Sequence, residues 1–160
     1  MFSFFKKKDD GIVLAAPIKG KAVSLSEVSD PTFNSGMLGK GIAIIPSEGK
    51  VYAPADGEIG MVFDTLHAIS MTSADGVEIL IHIGLDTVQM KGEGFEAHVE
   101  AGAQVKTGDL LISMDLDKIK AAGYDTISPV IICNTDDYAD VQETASGDVQ
   151  AGDSVVKIVK

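Results

Sequence analysis

Apolar and polar residues alternate along most of this chain in short runs, the period of two that a half-buried β-strand requires. In the stretch V-E-I-L-I-H-I-G, residues 77–84, Val77, Ile79, Ile81 and Ile83 fall on one face, and Glu78, Leu80, His82 and Gly84 on the other. The run before it, residues 60–71, alternates in the same way. As a strand it places Phe63, Thr65, His67, Ile69 and Met71 on a shared face. Between the two runs stands T-S-A-D-G, whose Asp75-Gly76 is a strong hairpin signal. Seventeen glycines, the Ala-Pro and Ser-Pro pairs and many β-branched runs extend the strand pattern over the rest of the chain. Helical signals are few and short. Asp30-Pro31 offers an N-cap followed by proline at the first helical position, with Gly36 to end the turn. Asp115 offers a second cap, closed by Gly123. The pattern predicts an all-β fold with one or two short helical turns.

A weak internal repeat refines this expectation. A-P-I-K-G-K-A-V, residues 16–23, resembles A-P-A-D-G-E-I-G, residues 53–60, and V-K-T-G-D, residues 105–109, resembles V-Q-A-G-D, residues 149–153. In each V-x-x-G-D the glycine can take positive φ and the aspartate can bond nearby backbone. Two interleaved copies predict two similar β-halves packed into one sandwich or barrel.

At 160 residues, 45% hydrophobic, the chain can bury one sizeable core, so we expect a single domain over 12–160 after a flexible tail over 1–11. The one cysteine, Cys133, follows Val130, Ile131 and Ile132 and reads as a buried structural thiol in a reducing cytoplasm. A net charge of −11 argues against nucleic acid as a partner and for a basic partner face. The tail carries the one basic cluster, Lys6-Lys7-Lys8 after Phe2, Phe4 and Phe5, which could touch an anionic membrane surface weakly.

Two histidines then become the candidate chemistry. With Ala74-Asp75 as the turn centre, opposed residues of the hairpin sum to 149, and His67 faces His82 with Cβ atoms roughly 4.5–5.5 Å apart. A zinc hydrolase needs three ligands, and only His98 remains, without H-E-x-x-H spacing. A neutral imidazole is also a nucleophile for a phosphoryl group, and a second imidazole can stabilise the charge on the transferring oxygens. The chain has no G-x-x-x-x-G-K-[ST], so the phosphoryl group would have to arrive on a partner protein.

G-V-E-I-L-I-H-I-G-L-D-T-V, residues 76–88, followed by K-G-E-G-F, residues 91–95, resembles the active-site signature of glucose-family enzyme IIA of the bacterial phosphoenolpyruvate-dependent sugar phosphotransferase system. F-D-T-L-H-A, residues 63–68, and S-P-V-I-I-C-N, residues 128–134, are similar too, and the match runs in order over 12–160. The resemblance implies an antiparallel β-sandwich of the duplicated hybrid motif type, in a free-standing cytoplasmic form without a cofactor. It implies that His82 accepts a phosphoryl group from the histidine-containing phosphocarrier protein and passes it to a cysteine of an enzyme IIB domain. His67 would stabilise the phosphate, Thr65 would orient His67, and the Gly84 carbonyl would hold the other nitrogen of His82. Phe33, Phe63, Leu66 and Ile83 would flank the site as docking positions. Asp86 and Thr87 would close the strand end as an Asx or Thr turn, and His98 would be an ordinary strand or turn residue.

Other classes remain. The A-P-x-x-G and V-x-x-G-D elements also occur in lipoyl and biotinyl carriers, but the hairpin tip here has no lysine to modify. The resemblance to enzyme IIA also implies a regulatory alternative, since free-standing members of that family bind other enzymes according to their phosphorylation state. No metal is expected from this chain alone, although His67 and His82 could share a zinc ion with a partner's carboxylate.

Overall fold

The computed structural model describes residues 11–160, so the expected tail and its membrane contact lie almost wholly outside the described residues. The strands are β1 (Ile12–Ala15), β2 (Gly20–Val23), β3 (Lys40–Pro46), β4 (Lys50–Tyr52), β5 (Gly57–Val62), β6 (Ala68–Ser73), β7 (Glu78–His82), β8 (Phe95–Ala97), β9 (Gln104–Val105), β10 (Leu110–Met114), β11 (Ser128–Ile132), β12 (Asp140–Glu143), β13 (Gly147–Val149) and β14 (Ser154–Val159). Eight of them form one sheet in the order β13-β2-β3-β11-β7-β6-β5-β9, and β1-β14-β12 and β4-β10-β8 form two smaller ones. The pairings are antiparallel, and the result is a β-sandwich.

Alternation decides what each face of the large sheet buries. Ile42, Ile44, Ile79, Ile81, Val130 and Ile132 face the main core, where they meet Leu14, Val156 and Ile158 from one small sheet and Val51, Leu111 and Ile112 from the other. Burying one such side chain stabilises by about 1.5–3 kcal/mol. The intervening residues Ala43 and Ile131, with Leu80 beside them, face the other way into a second, smaller core. Leu25, Val28 and Phe33 cover that core from the segment between β2 and β3. That segment holds helix α1 (Pro31–Asn34), in which the Asp30 side chain accepts from the Thr32 N–H at 2.9 Å. Helix α2 (Leu116–Ala121) is capped by Asp115, which accepts from the Lys118 N–H at 3.1 Å, and Gly123 takes φ +91° beyond it. Both caps stand where the sequence places them.

The repeat is present as a near-symmetric set of hydrogen bonds. Ala15 N donates to Pro54 O at 2.9 Å, and Tyr52 N donates to Pro17 O at 2.7 Å, so the two Ala-Pro segments bind each other. In the two V-x-x-G-D turns, Asp109 Oδ2 accepts from Lys106 N and Asp153 Oδ2 from Gln150 N, each at 2.8 Å. Gly108 N then reaches Ala53 O at 2.9 Å, and Gly152 N reaches Ala16 O at 3.1 Å.

Three expectations need correction. The hairpin between β6 and β7 pairs Ala68 with His82 and Thr72 with Glu78, a sum of 150 rather than 149. Ser73 N donates to Val77 O at 2.8 Å and Gly76 takes φ +90°, so the loop has three residues, 74–76. Second, β6 begins at Ala68, and residues 64–67 form a turn instead of a strand face. Third, Cys133 is exposed, because β11 ends at Ile132 and the chain turns there. Partial desolvation and the Glu78 carboxylate push its thiol pKa up.

Candidate active site

The one-residue difference in register would by itself separate the histidines. Position 67 opposes position 83, and Ile83 N donates to His67 O at 2.7 Å. Ile83 faces the main core, so a regular strand would aim His67 inward as well. The chain leaves strand geometry just before that point. Leu66 N donates to Phe63 O at 2.7 Å, and Leu66 adopts φ +60°, a left-handed conformation uncommon for any residue but glycine. His67 is thereby redirected, and its ring centroid lies 5.0 Å from that of His82, the two planes at 82°.

Each imidazole is held on two sides. His67 Nδ1 lies 2.5 Å from Thr65 Oγ1, and Phe63 meets its ring edge-on with centroids 5.4 Å apart. His82 Nδ1 lies 2.7 Å from Gly84 O, and Phe33 packs on its ring at 4.8 Å. A carbonyl can only accept, so Nδ1 of His82 carries the proton. Nε2 of the neutral ring then keeps its lone pair. Gly84 makes this bond with φ +72°.

Both imidazoles have a pKa below the ordinary histidine value. For His67 the causes are burial, then the nearby His82. For His82 burial dominates, offset in part by the Gly84 carbonyl and by the charges of Asp30 and Asp86. Both rings are therefore neutral at pH 7. Because the folded state resists protonation, the unfolded chain binds more protons once the pH falls below about 6.5. The contribution of these histidines to stability should be flat above that value and should fall as the pH drops through it. Urea midpoints across this range will show the slope, and a His67→Gln/His82→Gln double variant should flatten it. An unchanged slope in the double variant would assign it to other groups. The depressed carboxylates Asp56, bonded by Thr107, and Asp140, bonded by Gln142, act only at lower pH, where their stabilisation is lost as they protonate.

Two docking assignments do not fit. Ile83 is 0% exposed in the main core, since alternation points it away from the histidines. Phe33 is 4% exposed and spends its face on His82 and the second core. Phe63 and Leu66 are half-buried at the rim. More open apolar surface comes from Met37, 74% exposed, with Leu38 and Val88. Met37 and Leu38 follow the helix that carries Phe33, and Val88 follows the Gly84 turn. An apolar pair between Gly36 and Gly39, where a turn is expected, was their available signal. Asp30 also does more than cap a helix, because its charge reaches His82. Asp86 takes φ +61° without a side-chain cap, while the buried Thr87 hydroxyl donates to Ile83 O. His98 lies in a bend away from the pair, with Nε2 at 2.8 Å from Ser113 Oγ. Among the described residues, no group of three or more His, Cys, Asp or Glu side chains is placed to hold a metal ion.

Comparison with known proteins gives a consistent picture. Residues 12–138 match the family described as phosphoenolpyruvate-dependent sugar phosphotransferase system, EIIA 1. The chain is 43% identical over 156 residues to the glucose-specific EIIA component of Oceanobacillus iheyensis, covering 98% of this chain and 94% of that one. It is 49% identical over 146 residues to the beta-glucoside-specific EIIBCA component of Bacillus subtilis, covering 91% of this chain but only 24% of the relative, so it spans about a quarter of that protein's length. In structure it is similar to glucose permease IIA from Mycoplasma capricolum, with a TM-score of 0.86 and 35% identity over 98% of this chain and 99% of that one. No helix of the described residues is long and apolar enough to cross a membrane.

Proposed function

Since the chain belongs to the EIIA 1 family of the phosphoenolpyruvate-dependent sugar phosphotransferase system, we propose that His82 is the residue on which it carries the phosphoryl group. The observation that carries this reading is the Nδ1 bond of His82 to Gly84 O at 2.7 Å, which leaves Nε2 as a free nucleophile beside a second neutral imidazole.

The donor is the histidine-containing phosphocarrier protein. His82 Nε2 attacks phosphorus, the donor's P–N bond breaks, and its electron pair returns to the donor ring. Positive charge that develops on His82 is stabilised through Nδ1–H by the Gly84 carbonyl. In the second step a cysteine thiolate of an enzyme IIB domain attacks phosphorus, and the pair of the P–Nε2 bond returns to His82. With the Thr65 hydroxyl donating to Nδ1 of His67, that ring carries its proton on Nε2 and donates it to a phosphoryl oxygen. Phe63, packed edge-on against His67, and the adjacent half-buried Leu66 give the apolar rim against which partners exclude water. Asp30 and Asp86 favour a partner with basic residues around its own site. Two imidazoles are half a tetrahedral zinc site, so a zinc ion would need a partner's carboxylate as well.

The test is a relay. The chain is phosphorylated from phosphoenolpyruvate with the general proteins of the system, freed of them, and mixed with a purified IIB domain. The expected result is loss of one phosphoryl mass from this chain and its gain by the IIB cysteine. Stable retention by this chain would overturn the carrier role.

A further inference from the structure

Two buried hydroxyls surround the turn that follows His82, and neither takes part in the phosphoryl chemistry described so far. Thr87 and Ser128 are both 0% exposed. The Thr87 hydroxyl donates to Ile83 O, the carbonyl of the peptide that enters Gly84. The Gly84 N–H, on the same peptide, donates to Ser128 Oγ at 3.2 Å. Ser128 in turn donates to Thr126 O at 2.9 Å, which fixes its hydroxyl with a lone pair toward Gly84. The following residue is tied as well, because Leu85 N donates to Asp125 O at 3.0 Å. Both polar atoms of the Ile83–Gly84 peptide are thus held by side chains from outside the strand. The Gly84 carbonyl, in the next peptide unit, is left to accept from His82.

We propose that Thr87 and Ser128 are positioning residues: they clamp the Ile83–Gly84 peptide so that the Gly84 carbonyl faces His82 Nδ1, and thereby hold His82 in the tautomer whose Nε2 is free. For phosphoryl transfer this rests on the reading of His82 given above; for the tautomer it does not. Supporting partners of a reactive imidazole fix its tautomer and orientation in the same way around metal sites, where their loss typically costs about 10- to 100-fold. Here each substitution removes one neutral hydrogen bond to the clamped peptide, so the expected loss is smaller, about five- to tenfold.

The experiment records long-range ¹H–¹⁵N spectra of the histidine rings at neutral pH for the full chain and for Thr87→Val, Thr87→Ser and Ser128→Ala. Acceptance of phosphate from the donor protein is followed in parallel. Wild type and Thr87→Ser should show His82 with Nδ1 protonated and Nε2 bare. Thr87→Val and Ser128→Ala should show exchange between tautomers and accept phosphate about five- to tenfold more slowly. A single Nδ1–H tautomer in the folded valine and alanine variants would overturn the proposal, whatever their rates. So would Thr87→Ser behaving like Thr87→Val, because packing of the methyl group would then be the determinant. If wild type takes no phosphate but the tautomers shift as stated, the carrier reading fails and the clamp stands.

Discussion

Replacing His67 by glutamine will leave the chain able to take a phosphoryl group onto His82 and nearly unable to pass it on. The two steps differ in their nucleophile. In acceptance a neutral imidazole attacks, and His82 is held for that by Gly84 O and Phe33, neither of which depends on His67. In donation an anionic thiolate approaches a phosphoryl group that already carries negative charge, and a donor from the protein side counts for more. His67 is set for that role, with Thr65 at 2.5 Å on Nδ1 and the ring turned toward His82. Removing one such donor typically costs about 10²–10³ in rate. Glutamine keeps an N–H but lacks the rigid ring that Phe63 supports. Rapid-quench kinetics of the two half-reactions should show acceptance lowered by less than about tenfold and donation by 10² or more. Equal losses in both steps would place His67 in a general structural role.

Gly84→Ala should be the most damaging single-atom-scale change to the fold near the site. At φ +72° an alanine Cβ would stand 2.7 Å from Thr87 Cγ2 and 2.8 Å from Asp125 O. The second of these is backbone and cannot swing aside. Left-handed strain alone costs about 1–2 kcal/mol, and a forced shift in a packed turn adds about 1–3 kcal/mol. A total of about 2–5 kcal/mol corresponds to a Tm lower by roughly 4–20 °C for a chain of this size. Gly102→Ala is the matched control, since φ is +89° there and nothing lies within 4 Å. It should show the strain alone, about 1–2 kcal/mol. Equal losses at the two positions would mean that the turn at Gly84 yields easily, and the tight fit would carry no weight.

How much of this was legible beforehand depends on which residue is asked. The caps Asp30 and Asp115 and the two V-x-x-G-D turns were readable because a short polar side chain bonding nearby backbone is a local event. The paired histidines were readable for a partly mistaken reason. The expected register differs from the observed one by a residue, because Gly76 closes a three-residue loop and A-D-G does not by itself distinguish loop lengths. His67 faces His82 only because Leu66 takes a left-handed conformation. Nothing about a leucine announces that, since its intrinsic preference points the other way. Phe33 and Ile83 were expected at the rim, yet alternation already placed Ile83 inside, and Phe33 is covered through contacts distant in sequence. Cys133 shows the converse. Its apolar neighbours suggested burial, but the strand ends one residue before it.

The central claim is that one atom, Nε2 of His82, carries the phosphoryl group. The most direct measurement is ³¹P–¹⁵N NMR of the ring-labelled chain after phosphorylation from phosphoenolpyruvate, with intact mass of His82→Ala as the companion. The account predicts a single acid-labile phosphate bonded to Nε2 of His82, and none on the alanine variant. A phosphate on His67, on His82 Nδ1, or on the alanine variant would contradict it.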